Sequence, residues 1–208
     1  KNDSIFYYTS NEDKEFSSLL KYNINTGKSE EIFKDKWDVM YMSLSEKEKY
    51  HIVFVNNDGK NKVLLFEHAT GKPLKLPDFD DGDVINVIIS NSENKLLLTV
   101  GSSTSSPNLY LYDIPSKKLK QLTSTLSKKI NQDDLAKAEV IRFKSFDGKE
   151  IPAIYYKPLQ ASKNNKVPAL IWVHGGPGGQ SRIGYSNTIQ YLVNKGYAVL
   201  AVNNRGSS

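Results

Sequence analysis

The sequence predicts about three four-stranded blades of a β-propeller, followed by the N-terminal part of an α/β sheet. Three observations support this division. A turn motif and the strands beside it recur with a period of about 45 residues through residues 1–125. A polar stretch without strand periodicity follows over residues 126–138. Residues 139–208 then contain an alternating hairpin and two apolar strands with a helical segment between them.

Two landmarks carry the repeat with the same spacing. Thr26, Thr70 and Ser116 each follow an apolar strand and a polar corner, and they lie 44 and 46 residues apart. Ser45 and Ser90 begin a second pair of matching segments, 45 residues apart. A four-stranded unit of about 40–50 residues is typical of a propeller blade. A β-sandwich is the alternative, but its strands do not recur at a fixed spacing.

Short alternating segments rich in β-forming residues mark the propeller strands. They are Ile5–Thr9, Ile52–Asn56, Lys62–His68, Lys95–Val100 and Asn108–Ile114. Asn57-Asp58-Gly59 predicts a tight hairpin turn. His51 and His68 lack the spacing of metal ligands, so we interpret them as ordinary strand residues. A propeller needs about 4–8 blades, and we therefore expect further blades upstream of Lys1.

The second part begins with a predicted hairpin. Val140–Phe146 and Ile151–Tyr156 alternate on either side of an Asp147-Gly148 turn. An aspartate in such a turn is usually structural, so Asp147 is interpreted as a turn residue rather than an acid catalyst. In the polar stretch before the hairpin, a short helical turn is predicted around Asp133–Lys137.

A β-α-β unit follows the hairpin. Its first strand is a continuous apolar run, which predicts burial on both faces. The predicted elements are the strand Val167–Val173, a helix over residues 186–195 that is capped by Ser186 or Asn187 and ended by Gly196, and the buried strand Tyr197–Val202.

A glycine-rich loop, His174-Gly-Gly-Pro-Gly-Gly179, directly follows the first strand of this unit. Glycine lets the backbone turn sharply and approach a ligand closely. A loop of this type supplies one oxyanion-hole N–H donor in α/β-hydrolases. The Gly-Lys-Ser/Thr ending of a phosphate loop and the glycine spacing of a dinucleotide fingerprint are both absent from it. A purely structural turn is the remaining alternative.

These motifs resemble the prolyl oligopeptidase family of serine peptidases, most closely its acylaminoacyl-peptidase and dipeptidyl-peptidase members. The matching stretches are Ala138–Pro152, Val167–Ser181 and Gly196–Ser208, and a propeller precedes the catalytic domain in that family. The resemblance implies the C-terminal blades of a propeller over residues 1–125 and a linker over 126–138. It further implies a truncated N-terminal part of an α/β-hydrolase peptidase domain over 139–208.

The resemblance also implies roles for the glycine-rich loop. The backbone N–H of Gly176 matches the family's oxyanion-hole donor, with His174, Gly175, Pro177 and Arg205 as supporting residues. His174 is not expected to be the catalytic base, because the base follows the serine and the acid along this fold. The sequence contains no Gly-x-Ser-x-Gly. We therefore expect the nucleophile, acid and base downstream, and no hydrolysis by these 208 residues alone.

Other serines are weak nucleophile candidates. Ser181, Asp147 and His174 form a triad only on paper, because their order along the chain contradicts that of the fold. Ser181 also lacks the second glycine of the nucleophile motif. Ser207 and Ser208 follow an arginine-glycine turn rather than a strand-to-helix elbow.

Composition excludes several function classes. The formal net charge is +5, but only three of the 28 basic residues are arginine, and the lysines alternate with acids, so we expect no nucleic-acid partner. The absence of cysteine excludes disulfides, a cysteine nucleophile and thiolate metal sites. No apolar run reaches the roughly 18–20 residues that span a bilayer. We expect no metal and no cofactor.

The sequence thus predicts a serine-type exopeptidase or oligopeptidase that acts on short peptides. A carboxylesterase or lipase is one alternative, although such enzymes normally lack a propeller. A non-catalytic propeller scaffold with a degenerate hydrolase domain is the other. The sequence leaves the substrate preference and the compartment open, and it is compatible with a homo-oligomer of the full-length protein.

Overall fold

The computed structural model describes residues 3–176 and 178–207, which form two compact units. The first unit comprises the described residues up to Asp80, with Val84–Val100 and Leu109–Leu122. The second comprises Asp81–Asp83, Gly101–Asn108 and the described residues from Thr123 onward. The linker predicted over 126–138 contains a short 3-10 turn at Gln132–Asp134, and its boundaries stay a prediction.

Three sheets of hydrogen-bonded strands form the propeller part. The first has the order β1-β2-β3, with strands Ile5–Ser10, Ser18–Asn23 and Lys28–Phe33. The second has the order β4-β5-β6-β7, with strands Asp38–Leu44, Tyr50–Asn57, Lys60–Glu67 and Pro73–Leu74. The third has the order β8-β9-β10-β11, with strands Asp83–Ile89, Lys95–Gly101, Asn108–Asp113 and Lys118–Gln121. The second and third sheets have the predicted four strands, whereas the first has three within the described residues.

The sequence repeat corresponds to a repeated turn before the last strand of each sheet. Gly27, Gly71 and Lys117 occupy equivalent positions with φ of +66°, +68° and +57°. The first two are glycines, which adopt this left-handed conformation without steric cost. The three strands of the first sheet therefore match the last three strands of a complete blade.

The serine repeat also has a structural cause. The Ser45 Oγ accepts a hydrogen bond from the Tyr50 backbone N–H at 2.9 Å, and the Ser90 Oγ accepts one from the Lys95 N–H at 3.1 Å. Both serines thus hold the first residue of the next strand. A serine side chain binds nearby backbone readily, so the serine at this position of the repeat can hold the same turn in both sheets.

Apolar side chains between the sheets form the core of the first unit. One cluster is centred on fully buried residues of the second and third sheets: Tyr50, Ile52, Phe54, Leu65, Leu96 and Leu98. A second cluster joins the first and second sheets around Leu19, Val39, Val53 and Val55. Alternation along each strand places these residues on the packed faces.

His51 of β5 contacts His68, which lies in the turn directly after β6 and not in the strand as interpreted from the sequence. Nδ1 of His68 lies 3.2 Å from Nδ1 of His51, and the His51 ring stacks on Phe66. Burial and the neighbouring His68 lower the pKa of His51 to about 4. Among residues 3–176 and 178–207, no group of three or more His, Cys, Asp or Glu is placed to hold a metal ion.

The second unit contains a four-stranded mixed sheet of order β12-β13-β15-β14. Its elements are β12 (Ala138–Lys144), β13 (Glu150–Tyr156), β14 (Ala169–Val173), α1 (Asn187–Asn194) and β15 (Ala198–Val202). The pairs β12–β13 and β13–β15 are antiparallel, and β14–β15 is parallel. The predicted hairpin and β-α-β unit are both present.

The prediction that the first strand of this unit is buried on both faces is wrong. In β14, Ile171 is 62% exposed and Val173 is 72% exposed, whereas Val199 and Ala201 of β15 are buried. Within the described residues β14 pairs with β15, which lies between it and β13, and few of these residues cover the two faces of β14. An apolar run marks a strand but does not determine its place in the sheet.

Helix α1 packs on this sheet through Ile189 and Val193. The Ser186 side chain accepts a hydrogen bond from the Ile189 N–H, which makes Ser186 the N-cap of the two predicted candidates. Gly196 ends the helix with φ +94°. Within the described residues, no helix has the length and apolarity needed to cross a membrane.

Candidate functional site

Two loops meet at the carboxyl ends of the parallel strands β14 and β15. Val173, the last residue of β14, pairs with Val202, the last residue of β15. His174 and Asn203 therefore begin the two loops side by side. Ligands of open α/β sheets bind at the carboxyl ends of the strands, so this edge is the candidate site.

The His174 side chain connects these loops. Its Nε2 lies 2.8 Å from the Ser207 Oγ, and its Nδ1 lies 2.9 Å from the backbone oxygen of Gly175. Because a carbonyl oxygen only accepts, Nδ1 carries a proton, and in the neutral ring the bare Nε2 accepts from the Ser207 hydroxyl. The ring is thereby fixed at both nitrogens.

The glycines of the first loop are closely packed on one another. A Cβ atom added at Gly179 would lie 2.6 Å from the oxygen of Gly175 and 3.3 Å from Nδ1 of His174. A Cβ atom at Gly176 would lie 3.2 Å from the nitrogen of Gly178. A side chain at either position would clash with the backbone of the loop. Pro177, predicted to support the loop, lies outside the described residues.

Asn203 ties the far end of the first loop to the end of β15. Its Oδ1 accepts from the Ser181 backbone N–H at 2.7 Å, and its Nδ2 donates to the Ser181 oxygen at 2.9 Å. Asn203 is 4% exposed. These two hydrogen bonds to the backbone of one residue were not foreseen, although an amide directly after a buried strand was available as a signal.

Arg205 binds the turn of the β12–β13 hairpin. Its Nη2 donates to Oδ1 of Asp147, and its guanidinium lies 5.2 Å from the centroid of the Phe146 ring. Asp147 also accepts from the Lys149 N–H, as expected of a turn residue. Phe146 is 97% exposed.

The serine, aspartate and histidine of this unsupported triad each contact a different partner. Ser181 binds Asn203 through its backbone, Asp147 pairs with Arg205, and His174 binds Ser207. Ser207 is the contact that sequence reasoning missed. It lies 33 residues from His174, and nothing in the local pattern around Ser207 indicates its partner.

Burial shifts the pKa of two ionisable groups in the second unit. Burial raises the pKa of Tyr156, whose hydroxyl donates to the oxygen of Gly184. Burial lowers the pKa of Arg182, and the charge of Asp83 opposes this effect. Tyr156 is part of the apolar cluster that supports β15.

Known proteins of similar sequence are peptidases. No protein-family model matches the chain. Dipeptidyl aminopeptidase BIII of Pseudoxanthomonas mexicana is 27% identical over 211 residues, which covers 97% of this chain and 30% of that protein. Dipeptidyl peptidase family member 6 of Caenorhabditis elegans is 30% identical over 147 residues, covering 61% of this chain and 20% of that protein. The chain therefore spans about a third or less of the length of these relatives.

Solved structures with the same fold cover nearly the whole chain. A puromycin-hydrolyzing peptidase of Mycobacterium tuberculosis superposes with a TM-score of 0.82 at 15% identity, covering 99% of this chain and 33% of that one. Prolyl oligopeptidase B of Galerina marginata superposes with a TM-score of 0.80 at 16% identity, covering 99% and 30%. These likenesses confirm the predicted fold, a partial β-propeller followed by the N-terminal part of an α/β-hydrolase sheet.

Proposed function

We propose, starting from the confirmed resemblance of this chain to the prolyl oligopeptidase family, that the whole protein is a serine peptidase acting on short peptides. In this proposal the chain supplies one donor of the oxyanion hole, the backbone N–H of Gly176. One observation carries it: the glycine-rich loop lies at the carboxyl end of β14, beside the loop that follows β15.

The chemistry asked of Gly176 is electrostatic. When a serine attacks the peptide carbonyl, the carbonyl oxygen becomes negatively charged, and a backbone N–H already aimed at that position stabilises the charge. A second donor follows the nucleophile in this fold. The attacking serine, its histidine base and the orienting acid are not residues of this chain in the proposal.

The remaining loop residues hold this donor in place. His174 and Gly175 join the loop to Ser207, and Arg205 anchors the neighbouring hairpin turn through Asp147. Such preorganisation matters because an oxyanion hole acts only if its donors do not have to move during the reaction. Pro177 belongs to the same proposed support.

We also propose the domain limits that the sequence indicates. Residues 1–125 would belong to the propeller, 126–138 to the linker and 139–208 to the catalytic domain. The repeated turns of the first unit and the mixed sheet of the second support these limits.

A serine-directed fluorophosphonate tests the proposed activity in the whole protein. We expect one labelled serine outside residues 1–208 and turnover of a dipeptide anilide. A folded whole protein that is neither labelled nor active would contradict the proposal and favour a scaffold. Faster turnover of a simple ester than of the anilide would instead favour an esterase.

The variant Gly176→Ala tests the oxyanion donor. The added methyl group lies 3.2 Å from the Gly178 nitrogen, so the peptide that carries the donor must shift. Loss of one such donor costs about 10²–10³ in kcat. Gly184→Ala is the matched control, because nothing lies within 4 Å of its added Cβ atom. Equal kinetics for the two variants would contradict the role of Gly176.

A further inference from the structure

Ser207 has a role that its sequence context does not reveal. It follows an arginine-glycine turn after β15, and its hydroxyl lies 2.8 Å from Nε2 of His174, at the start of the loop after β14. The two residues belong to different loops and are 33 positions apart. Their bond is thus a cross-link between the loops.

This cross-link continues into the glycine-rich loop. The other nitrogen of His174 donates to the oxygen of Gly175. This oxygen belongs to the peptide unit that joins Gly175 to Gly176. Gly179 approaches the same oxygen and the same ring nitrogen so closely that no side chain fits there. The contacts therefore run from Ser207 through the imidazole to the Gly175 carbonyl, and Gly179 packs on that carbonyl from the other side.

The peptide between Gly175 and Gly176 contains both the bound oxygen and the proposed donor. A peptide unit is planar, so fixing the direction of its C=O also fixes the direction of its N–H. The Gly175 oxygen, which accepts from His174, and the N–H of Gly176 lie in this one plane. Whatever orients the carbonyl consequently aims the donor.

We propose that Ser207 is a positioning residue for the oxyanion hole, acting through His174 on the Gly175–Gly176 peptide. The Ser207 hydroxyl donates a hydrogen bond to Nε2 of the neutral ring, and this bond favours the Nδ1–H tautomer that binds the Gly175 oxygen. The inference rests on the proposed peptidase function for its kinetic consequence. The loop geometry itself does not depend on that function.

The contact between a serine hydroxyl and a histidine Nε2 also resembles a nucleophile and its base. Two features favour a positioning role. The other ring nitrogen binds a neutral backbone oxygen rather than a carboxylate, and Ser207 lies beyond the arginine-glycine turn after β15, whereas an elbow nucleophile directly follows its strand.

Kinetics of the whole protein test the proposal with Ser207→Ala, Ser207→Thr and the control Ser181→Ala. Ser181 makes its bonds to Asn203 through the backbone, so its hydroxyl is dispensable. Small misplacements of catalytic groups cost up to about 10²-fold. We expect Ser207→Ala to lower kcat by about 10- to 100-fold with KM changed less than about twofold, and Ser207→Thr to restore most of the rate.

Amide hydrogen exchange of the same variants separates this proposal from the proposed activity. With Ser207→Ala we expect faster exchange at Gly175, Gly176 and Gly179, and with Ser181→Ala exchange like that of the parent protein. If the protein is inactive but the exchange changes as stated, the peptidase proposal fails and the cross-link stands. Unchanged exchange or unchanged kcat in Ser207→Ala would overturn the positioning role. Fluorophosphonate labelling of Ser207 would also overturn it, because Ser207 would then be the nucleophile.

Discussion

The turns of the propeller sheets and the glycine-rich loop are held in different ways. At Ser45 the side chain binds the backbone of Tyr50, five residues away, and the same bond recurs at Ser90. At His174 the side chain binds Ser207, 33 residues away in another loop. The first kind of turn contains its own partners, whereas the second depends on the pairing of β14 with β15.

This difference explains which features repeat. A turn that closes on itself can be reused in each sheet, because it needs no particular surroundings. The glycine-rich loop is not part of the repeat, and the direction of its Gly175–Gly176 peptide depends on a residue that is distant along the chain. We expect changes in the loop to affect catalysis most, and changes in the repeated turns to affect mainly stability.

After Gly176→Ala, the largest effect is expected for Gly179→Ala in the whole protein. The added Cβ atom would meet the oxygen of Gly175 at 2.6 Å, so that peptide has to rotate or move away. We expect a loss of about 10²-fold in kcat/KM for a peptide anilide. Gly184→Ala has open space around its Cβ atom and serves as control. A Gly179→Ala enzyme with control-like kinetics would show that the loop tolerates the displacement.

Gln190→Ala is expected to reduce stability by about 2–3 kcal/mol. Gln190 is 5% exposed, accepts from the Ala136 N–H, and donates to the oxygens of Ala136 and Ser103. Without it these buried backbone groups lose their partner. Urea unfolding measures the change, and exposed Thr188→Ala on the same helix is the control. A difference below about 0.5 kcal/mol between the variants would contradict the expectation.

Ser45→Ala is expected to cost about 1–2 kcal/mol, because it leaves the Tyr50 N–H without its acceptor in a buried turn. Ser92→Ala is a suitable control, since Ser92 is exposed and bonds only to other side chains of its turn. Chemical denaturation compares the two. If both variants lose equally little free energy of unfolding, the hydrogen bond of the repeated serine does not stabilise the protein.

The last expected effect is a dependence of stability on pH. Burial beside His68 lowers the pKa of His51 to about 4, whereas a histidine in the unfolded chain titrates near about 6.5. The unfolded state then binds more protons between these values, so the free energy of unfolding falls as pH falls from about 6.5 to 4. Tyr7 and Lys21 border the same cavity as the histidines. His51→Gln should show a shallower decline, and parallel curves would contradict this assignment.

The local patterns of the sequence predicted most elements correctly. The hairpin at Asp147-Gly148, the N-cap at Ser186 and the helix stop at Gly196 each depend on residues within a few positions of one another. Contacts between distant residues were not predicted. The position of β15 between β13 and β14 was not predicted, nor was the contact between His51 and His68, which follows from the pairing of β5 with β6.

The sequence by itself determined the strongly alternating and apolar strands, the period of the repeated turns and the presence of a glycine-rich loop after an apolar strand, because these depend on short-range backbone preferences. Only the tertiary structure decided that β15 lies between β13 and β14 and that Asn203 holds Ser181. It also decided that Ser207 reaches His174. Those contacts need the parallel pairing of β14 and β15, which brings together two loops that are remote along the chain.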